Sequence, residues 1–208
     1  MHKTKRPAFL WLLIFHREPP MSCILMMKVS YGVGYCLNLL TSLTAAILYL
    51  QTVIFAKHLL PNTFPSTVLP KDGDKVKVGK QKLTWHALDS NLFNVKLFRF
   101  ASNLQKQIYG VLFWAVTVIN CPEDIPNVRI SVGSNSASMW WLNGEEAVIL
   151  SGDRRMVKDD CLSKRLTLKK GKNIIRGAII NGPGMSDFCI RLLDEKGAPI
   201  KNITISYK

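Results

Sequence analysis

The chain has 208 residues, with 28 Lys and Arg against 14 Asp and Glu, which gives a formal net charge of +14. The N-terminal quarter is strongly apolar, and the 152 residues after position 56 (208 − 56) suffice for one domain only. A domain of that size cannot enclose a helix that is apolar on every face, so such a helix would need lipid around it.

Residues 1–28 form a basic segment that contains one short apolar piece, AFLWLLIF, at 8–15. Eight residues are too few to cross a bilayer, which takes about 20. Met21, Met26 and Met27 precede the next apolar run, and the sequence MKVSYGVGY resembles a natural start. We therefore interpret 1–26 as an over-extended start rather than as a folded element.

An uncharged run occupies residues 29–56, between Lys28 and Lys57. It predicts one hydrophobic helix, which is either an uncleaved transmembrane anchor or a signal peptide. Its length favours the anchor, because the apolar part of a signal peptide is usually about 7–15 residues. The excess of cations before the run predicts a cytoplasmic N-terminus and an extracytoplasmic domain, which would be secreted if the segment is cleaved.

Residues 57–75 read as a linker, since Pro61, Pro65 and Pro70 favour extended or turn backbone. Residues 76–208 then show short runs rich in aromatic and β-branched residues, separated by Gly, Pro, Asn and Asp. This pattern predicts an all-β domain, an antiparallel β-sandwich or jelly roll. One helical turn is expected in NLFNVKLFRFASNL, at 91–104.

The stretch SASMWWLNGEEAVIL, at 136–150, predicts a hairpin. Asn143-Gly144 between two apolar runs suits a type I′ turn, which needs positive φ at both central residues. Because side chains alternate along a strand, the adjacent tryptophans point to opposite faces. We expect Trp141 inside the sandwich and Trp140 on the outer face or under a loop, where its indole could stack on a pyranose ring.

The span 85–205 resembles the galactose-binding-like β-sandwich modules appended to exported bacterial carbohydrate-active enzymes. The resemblance rests on YGVLFWAVTVIN, on the WLNG hairpin and on LTLKKGKNIIRGAIING. The same WLNG hairpin resembles that of the sugar-binding domain of family 2 glycoside hydrolases. The resemblance implies a non-catalytic carbohydrate-binding role. The acidic pair that the family has after Gly133-Ser134 is replaced here by NSAS, so no carboxylate role is carried over.

Nothing in the motifs predicts an enzyme, a metal site or a cofactor. His86 is the one histidine inside the expected domain, and neither a Gly-x-Ser-x-Gly elbow nor a phosphate-binding glycine loop occurs. A disulfide between Cys161 and Cys189 is permitted in an exported domain, but the sequence leaves their pairing open.

The expected ligand site lies in two Gly-containing loops, 152–160 and 181–187. The densest cluster of basic residues, at 153–173, adds an acidic polysaccharide to the candidate partners. Besides a glycan, the expected partners are the membrane and envelope proteins, whereas export disfavours nucleic acid. The alternative function is a structural or protein-interaction domain of the cell envelope. The candidate ligand-binding residues are Trp140, Arg154, Arg155 and Asp187.

Overall fold

The computed structural model describes residues 8–15, 69–78, 81–90, 92–103, 111–135, 137–150, 154–181 and 187–206. Within these ranges the chain forms one helix, α1 at Leu97–Asn103, where the sequence predicted a helical turn. The strands are β1 Ala8–Phe15, β2 Lys75–Val78, β3 Gln81–Ser90, β4 Val95–Lys96, β5 Val111–Cys121, β6 Ile125–Ser134, β7 Ser138–Leu142, β8 Glu145–Leu150, β9 Cys161–Leu162, β10 Leu166–Leu168, β11 Gly171–Asn181, β12 Asp187–Leu193 and β13 Thr204–Ser206.

The described strands pair antiparallel in two sheets, which confirms the predicted β-sandwich. The large sheet has the order β2-β3-β1-β5-β11-β7-β8, and β13 also pairs with β5. The small sheet has the order β10-β6-β12-β4, and β9 also pairs with β6. The inner faces of the two sheets, together with one side of α1, enclose the main hydrophobic core.

The two sheets meet at Trp140 and Phe188, whose ring centroids lie 5.3 Å apart. Trp140 is 1% exposed and belongs to the core between the sheets. Gly177 lies beneath its indole, since a β-carbon there would come within 2.4 Å of the Trp140 ring. The strand opposite Trp140 therefore has to carry a residue without a side chain.

The prediction for the two tryptophans was wrong about which one is inside. Trp140 lies in the core, whereas the half-buried Trp141 lies on the other face of the large sheet and stacks on Trp114 at 5.8 Å. That second face is buried as well, because Trp114, Val116 and Val118 of β5 are all inaccessible to solvent. Alternation along a strand shows which side chains share a face. When both faces of a sheet are apolar, however, the sequence does not indicate which face packs against the second sheet.

The predicted hairpin at Asn143-Gly144 is confirmed. Both residues have positive φ, 52° and 90°, and they connect β7 to β8. The Asn143 side chain also links this turn to the start of β11, because its Nδ2 donates to Asn173 Oδ1 at 3.0 Å and its Oδ1 accepts the Ile174 N–H at 2.8 Å. Asn173 is fully buried and also accepts the Lys169 N–H, so its side chain ties together two turns at this end of the sandwich.

Strand β1 corrects the interpretation of residues 1–26 as lying outside the fold. It pairs with β3 on one side and with β5 on the other, so it is an interior strand of the large sheet. A short uninterrupted apolar run does not reveal whether it is a strand or part of a helix, because it shows no alternation of apolar and polar residues. The domain therefore includes residues well before the predicted boundary at 76.

The position of β1 also bears on the predicted topology. β1 precedes the predicted hydrophobic helix at 29–56, and it pairs with β3 and β5, which follow that segment. The anchor or signal peptide and the location of the domain stay predictions. In the described ranges no helix is long and apolar enough to cross a membrane, and residues 29–56 and most of the linker 57–75 lie outside those ranges.

Candidate functional site

The outer face of the small sheet is its polar face. On β6, Val128, Ile130 and Val132 enter the core, so the residues between them point outward. The pairing of β6 with β12 places further polar positions on the same face. This outer face includes Arg129, Ser131 and Gly133 of β6, Asp187, Cys189, Arg191 and the apolar Leu193 of β12, and Lys96 of β4.

A segment that we call the strap, residues 154–160, lies across this outer face. It passes so close to Gly133 that a β-carbon there would be 1.8 Å from the carbonyl oxygen of Val157. A residue with a side chain at position 133 would push the strap away, since the contact is with backbone. Gly133 therefore permits the strap to lie directly on β6.

Asp159 fastens the strap to the sheet. Its carboxylate accepts from Arg191 Nε at 2.9 Å, from Arg191 Nη2 and from the Ser131 hydroxyl at 2.5 Å. The hydrogen bonds from Arg191 are the main reason that the pKa of Asp159 lies below its usual value, against the opposing effect of burial. The two N–H groups of Arg191 make a planar fork, which fixes the direction of the strap as well as its position.

Asp187 organises the adjacent edge of the small sheet. It is 7% exposed, and its Oδ2 accepts from Asn94 Nδ2 at 2.9 Å and from Lys96 Nζ at 2.5 Å. The backbone of Asp187 exchanges two hydrogen bonds with Asn135, and the Asn135 carbonyl accepts the Arg154 N–H at 3.0 Å. The first residue of the strap and the start of β12 therefore meet through Asn135.

Two large apolar side chains are exposed immediately before this polar network. Phe93 is 68% exposed and Leu92 is 55% exposed, and the next residue is Asn94, which is anchored to Asp187. Sequence reasoning missed them because it assigned the whole stretch 91–104 to a helical turn. The available signal was an apolar pair between two asparagines, ahead of the helix.

The predicted site residues have different environments. The backbone N–H groups of Arg154 and Asp187 both donate to Asn135, and the Arg154 side chain forms an ion pair with Asp160 at 2.7 Å. Arg155 is exposed on the strap.

Trp140 is not at the surface, and its Nε1 donates to the Ser138 hydroxyl at 3.1 Å inside the sandwich, so it is not available to stack on a sugar. Gly152, Gly182 and Gly184, which belong to the two predicted loops, lie outside the described residues.

The cysteines do not support the pairing that the sequence left open. Cys161 is opposite Val132 and Cys189 is opposite Gly133, so strand β6 lies between them. Both are free thiols, and burial raises the pKa of Cys189. Among the described residues, no group of three His, Cys, Asp or Glu side chains is placed to hold a metal ion.

No family model matches the chain, and no curated protein matches it either. Among solved structures, a PA14 sugar-binding domain from an RTX adhesin is 13% identical with a TM-score of 0.40, and the match covers 48% of this chain and 54% of that one. The PA14 domain of the antifreeze protein MpAFP is 12% identical with a TM-score of 0.38 over 46% and 52% of the two chains.

A β-glucosidase from Kluyveromyces marxianus is 23% identical with a TM-score of 0.37, and the match covers 53% of this chain but 13% of the enzyme. The matches to the two PA14 domains each span only about half the length of those chains. Likenesses at these scores transfer neither a ligand nor an activity to this chain.

Proposed function

We propose that this protein is a non-catalytic carbohydrate-binding module whose ligand lies on the outer face of the small sheet, beside the strap. The observation that carries the proposal is the exposed Phe93 next to the ordered Asn94–Asp187–Lys96 network. A pyranose ring has an apolar face of C–H groups and a rim of hydroxyls, so an exposed aromatic ring beside fixed donors and acceptors matches it. Phe93 takes the stacking role that the sequence had assigned to Trp140.

The charges beside Phe93 favour an acidic polysaccharide as the ligand. The carboxylates here are already paired, Asp187 with Lys96, Asp160 with Arg154 and Asp159 with Arg191. Arg155 and Lys158 are exposed on the strap, and among the described residues neither lies within ion-pair distance of a carboxylate. An arginine fork suits the planar oxygens of a carboxylate or a sulfate. In this proposal Arg154 and Arg155 contact the ligand, while Asp187 holds Asn94 and Lys96 in place.

The proposal includes binding without chemistry and an extracytoplasmic location. The carboxylates of the site hold neighbouring cations in ion pairs, and a role as acid or base would require them to be released. A polysaccharide ligand would be met outside the cytoplasm. In that case β1 must lie outside with the rest of the sheet, because it is paired on both edges.

The test is a glycan-array screen of the full-length chain with neutral, carboxylated and sulfated oligosaccharides, followed by titration of the best ligand. We expect binding that weakens as salt rises, because exposed charges are screened over about 8–10 Å near physiological ionic strength. Salt-independent binding to a neutral glycan would support the carbohydrate-binding role but would contradict the proposal that the ligand is acidic.

The second candidate is a protein-interaction domain of the envelope. It is favoured by the exposed apolar side chains Leu92, Phe93, Val157 and Leu162. If the full-length chain binds no glycan at about 1 mM, an affinity of only ~4 kcal/mol, the carbohydrate-binding proposal fails and this alternative replaces it.

A further inference from the structure

Arg129 lies on the outer face of the small sheet, and its side chain takes part in none of the ion pairs of the site. It lies two residues before Ser131 on β6, on the same face. Ser131 is directly opposite Arg191, so Arg129 is a diagonal neighbour of Arg191 across the β6–β12 pair. Diagonal positions in an antiparallel pair are about 7–8 Å apart, which long side chains can bridge.

Two carboxylates of this region already form ion pairs with other arginines. Asp159 receives the fork of Arg191, and Glu195 lies 3.8 Å from Arg165. Among the described residues, Arg129 has no carboxylate within ion-pair distance, and its Nε is buried without a hydrogen-bond partner. A buried N–H that lacks an acceptor destabilises the protein, and an acceptor brought by a ligand would remove that penalty.

Lys164 adds to the unmatched positive charge. Ser163, the residue before it, donates its backbone N–H to the Ile130 carbonyl, so this part of the chain runs beside Arg129. Lys164 is exposed and makes no ion pair with a described residue. Arg129 and Lys164 are therefore two neighbouring cations without an ion pair to a described residue. Asp194, the residue after Leu193, accepts the backbone N–H groups of Lys196 and Ala198 through its carboxylate.

We propose that Arg129 is the residue that recognises the acidic group of the ligand, a carboxylate or a sulfate, through its Nε–H and guanidinium. This inference rests on the proposed function and names the chemistry of its ligand. Arg129 and Gly133 are four residues apart on one strand, about 13 Å at the rise of a β-strand, so an oligosaccharide beside the strap can extend to Arg129. A planar fork with one desolvated donor selects an anionic oxygen pair over a neutral hydroxyl.

The test compares two oligosaccharides of equal length, one of galacturonic acid and one of galactose, by calorimetry on the full-length chain. Arg129→Gln should weaken the acidic ligand by about tenfold or more and the neutral one by less than about twofold. Arg129→Lys should not restore the acidic ligand, since a lysine has no fork. Arg165→Gln is the matched control, because it removes an exposed arginine of the same face region that already has a carboxylate partner, and it should leave both affinities unchanged.

Other outcomes separate this inference from the proposed function. Equal losses for both ligands in Arg129→Gln, or no loss for the acidic one, would overturn the role of Arg129. If the wild type prefers the galactose oligomer, the inference fails while the carbohydrate-binding module stands. If neither ligand binds, the proposed function fails, and inorganic sulfate decides about Arg129: a melting-temperature rise greater in the wild type than in Arg129→Gln supports the anion site, and equal rises overturn it.

Discussion

Gly133 and Val157 are in contact without room for one additional atom, because a β-carbon on Gly133 would lie 1.8 Å from the Val157 carbonyl oxygen. This contact presses the strap onto β6 and brings Arg154 beside Asn135 and Asp187. The position of the proposed site thus depends on a glycine that itself contacts no ligand.

Gly133→Ala is expected to lift the strap and weaken glycan binding by about tenfold or more while the sandwich stays folded. Gly177→Ala is the matched control, since its new β-carbon would clash with Trp140 in the core and cost about 1–3 kcal/mol of stability. Circular dichroism with denaturant titration measures folding, and calorimetry measures binding. A Gly133→Ala protein that binds normally would show that the strap does not position the site.

The ion pair between Asp159 and Arg191 should make stability depend on pH at the acidic end. The pKa of Asp159 is lowered in the folded protein from a reference value of 3.8. Its contribution is therefore fully present above the unfolded pKa and is lost as pH falls through the depressed folded pKa. Urea unfolding of wild type and Asp159→Asn should differ most above the reference pKa of 3.8, and the two stabilities should converge as pH falls through the depressed folded pKa. A constant difference across that range would contradict this assignment.

The two tryptophans of the hairpin should differ in their contribution to stability. Trp140→Ala removes a buried indole from between the sheets and is expected to cost about 3–5 kcal/mol. Trp141→Ala should cost less, under about 2 kcal/mol, because its indole is half-buried on the other face. Denaturant titration of both variants measures the two losses in free energy of unfolding. A larger loss in Trp141→Ala than in Trp140→Ala would support the sequence prediction that Trp141 lies inside the sandwich.

The sequence was informative where a local rule determines the backbone. Asn143-Gly144 predicted the hairpin because few residues adopt positive φ, and the short β-rich runs predicted the sandwich. The inner face of β7 could not be predicted, because β5 and its neighbours are apolar on both faces. Strand β1 was missed for the same reason. Phe93 was missed because the whole stretch 91–104 was assigned to a helical turn, whereas the exposed apolar pair precedes α1, which begins at Leu97.

The pairing of β1 predicts that both ends of the domain lie on one side of the membrane. Epitope tags placed at the N-terminus and at the C-terminus of the full-length chain should therefore show equal protease sensitivity in intact cells. Deletion of residues 8–15 should expose the facing edges of β3 and β5 and abolish cooperative unfolding. Opposite accessibility of the two tags would instead support a single crossing within 29–56 and would contradict the position of β1.

The affinity of the full-length chain for an acidic oligosaccharide, measured in Phe93→Ala and Ile205→Ala, tests the central claim most directly. Both substitutions remove an exposed apolar side chain, but Ile205 lies on β13, which pairs with the large sheet. We predict that Phe93→Ala loses about tenfold or more in affinity, roughly 1.4 kcal/mol, while Ile205→Ala binds like the wild type. Equal affinities in the two variants, with both proteins folded, would contradict a glycan site beside Phe93.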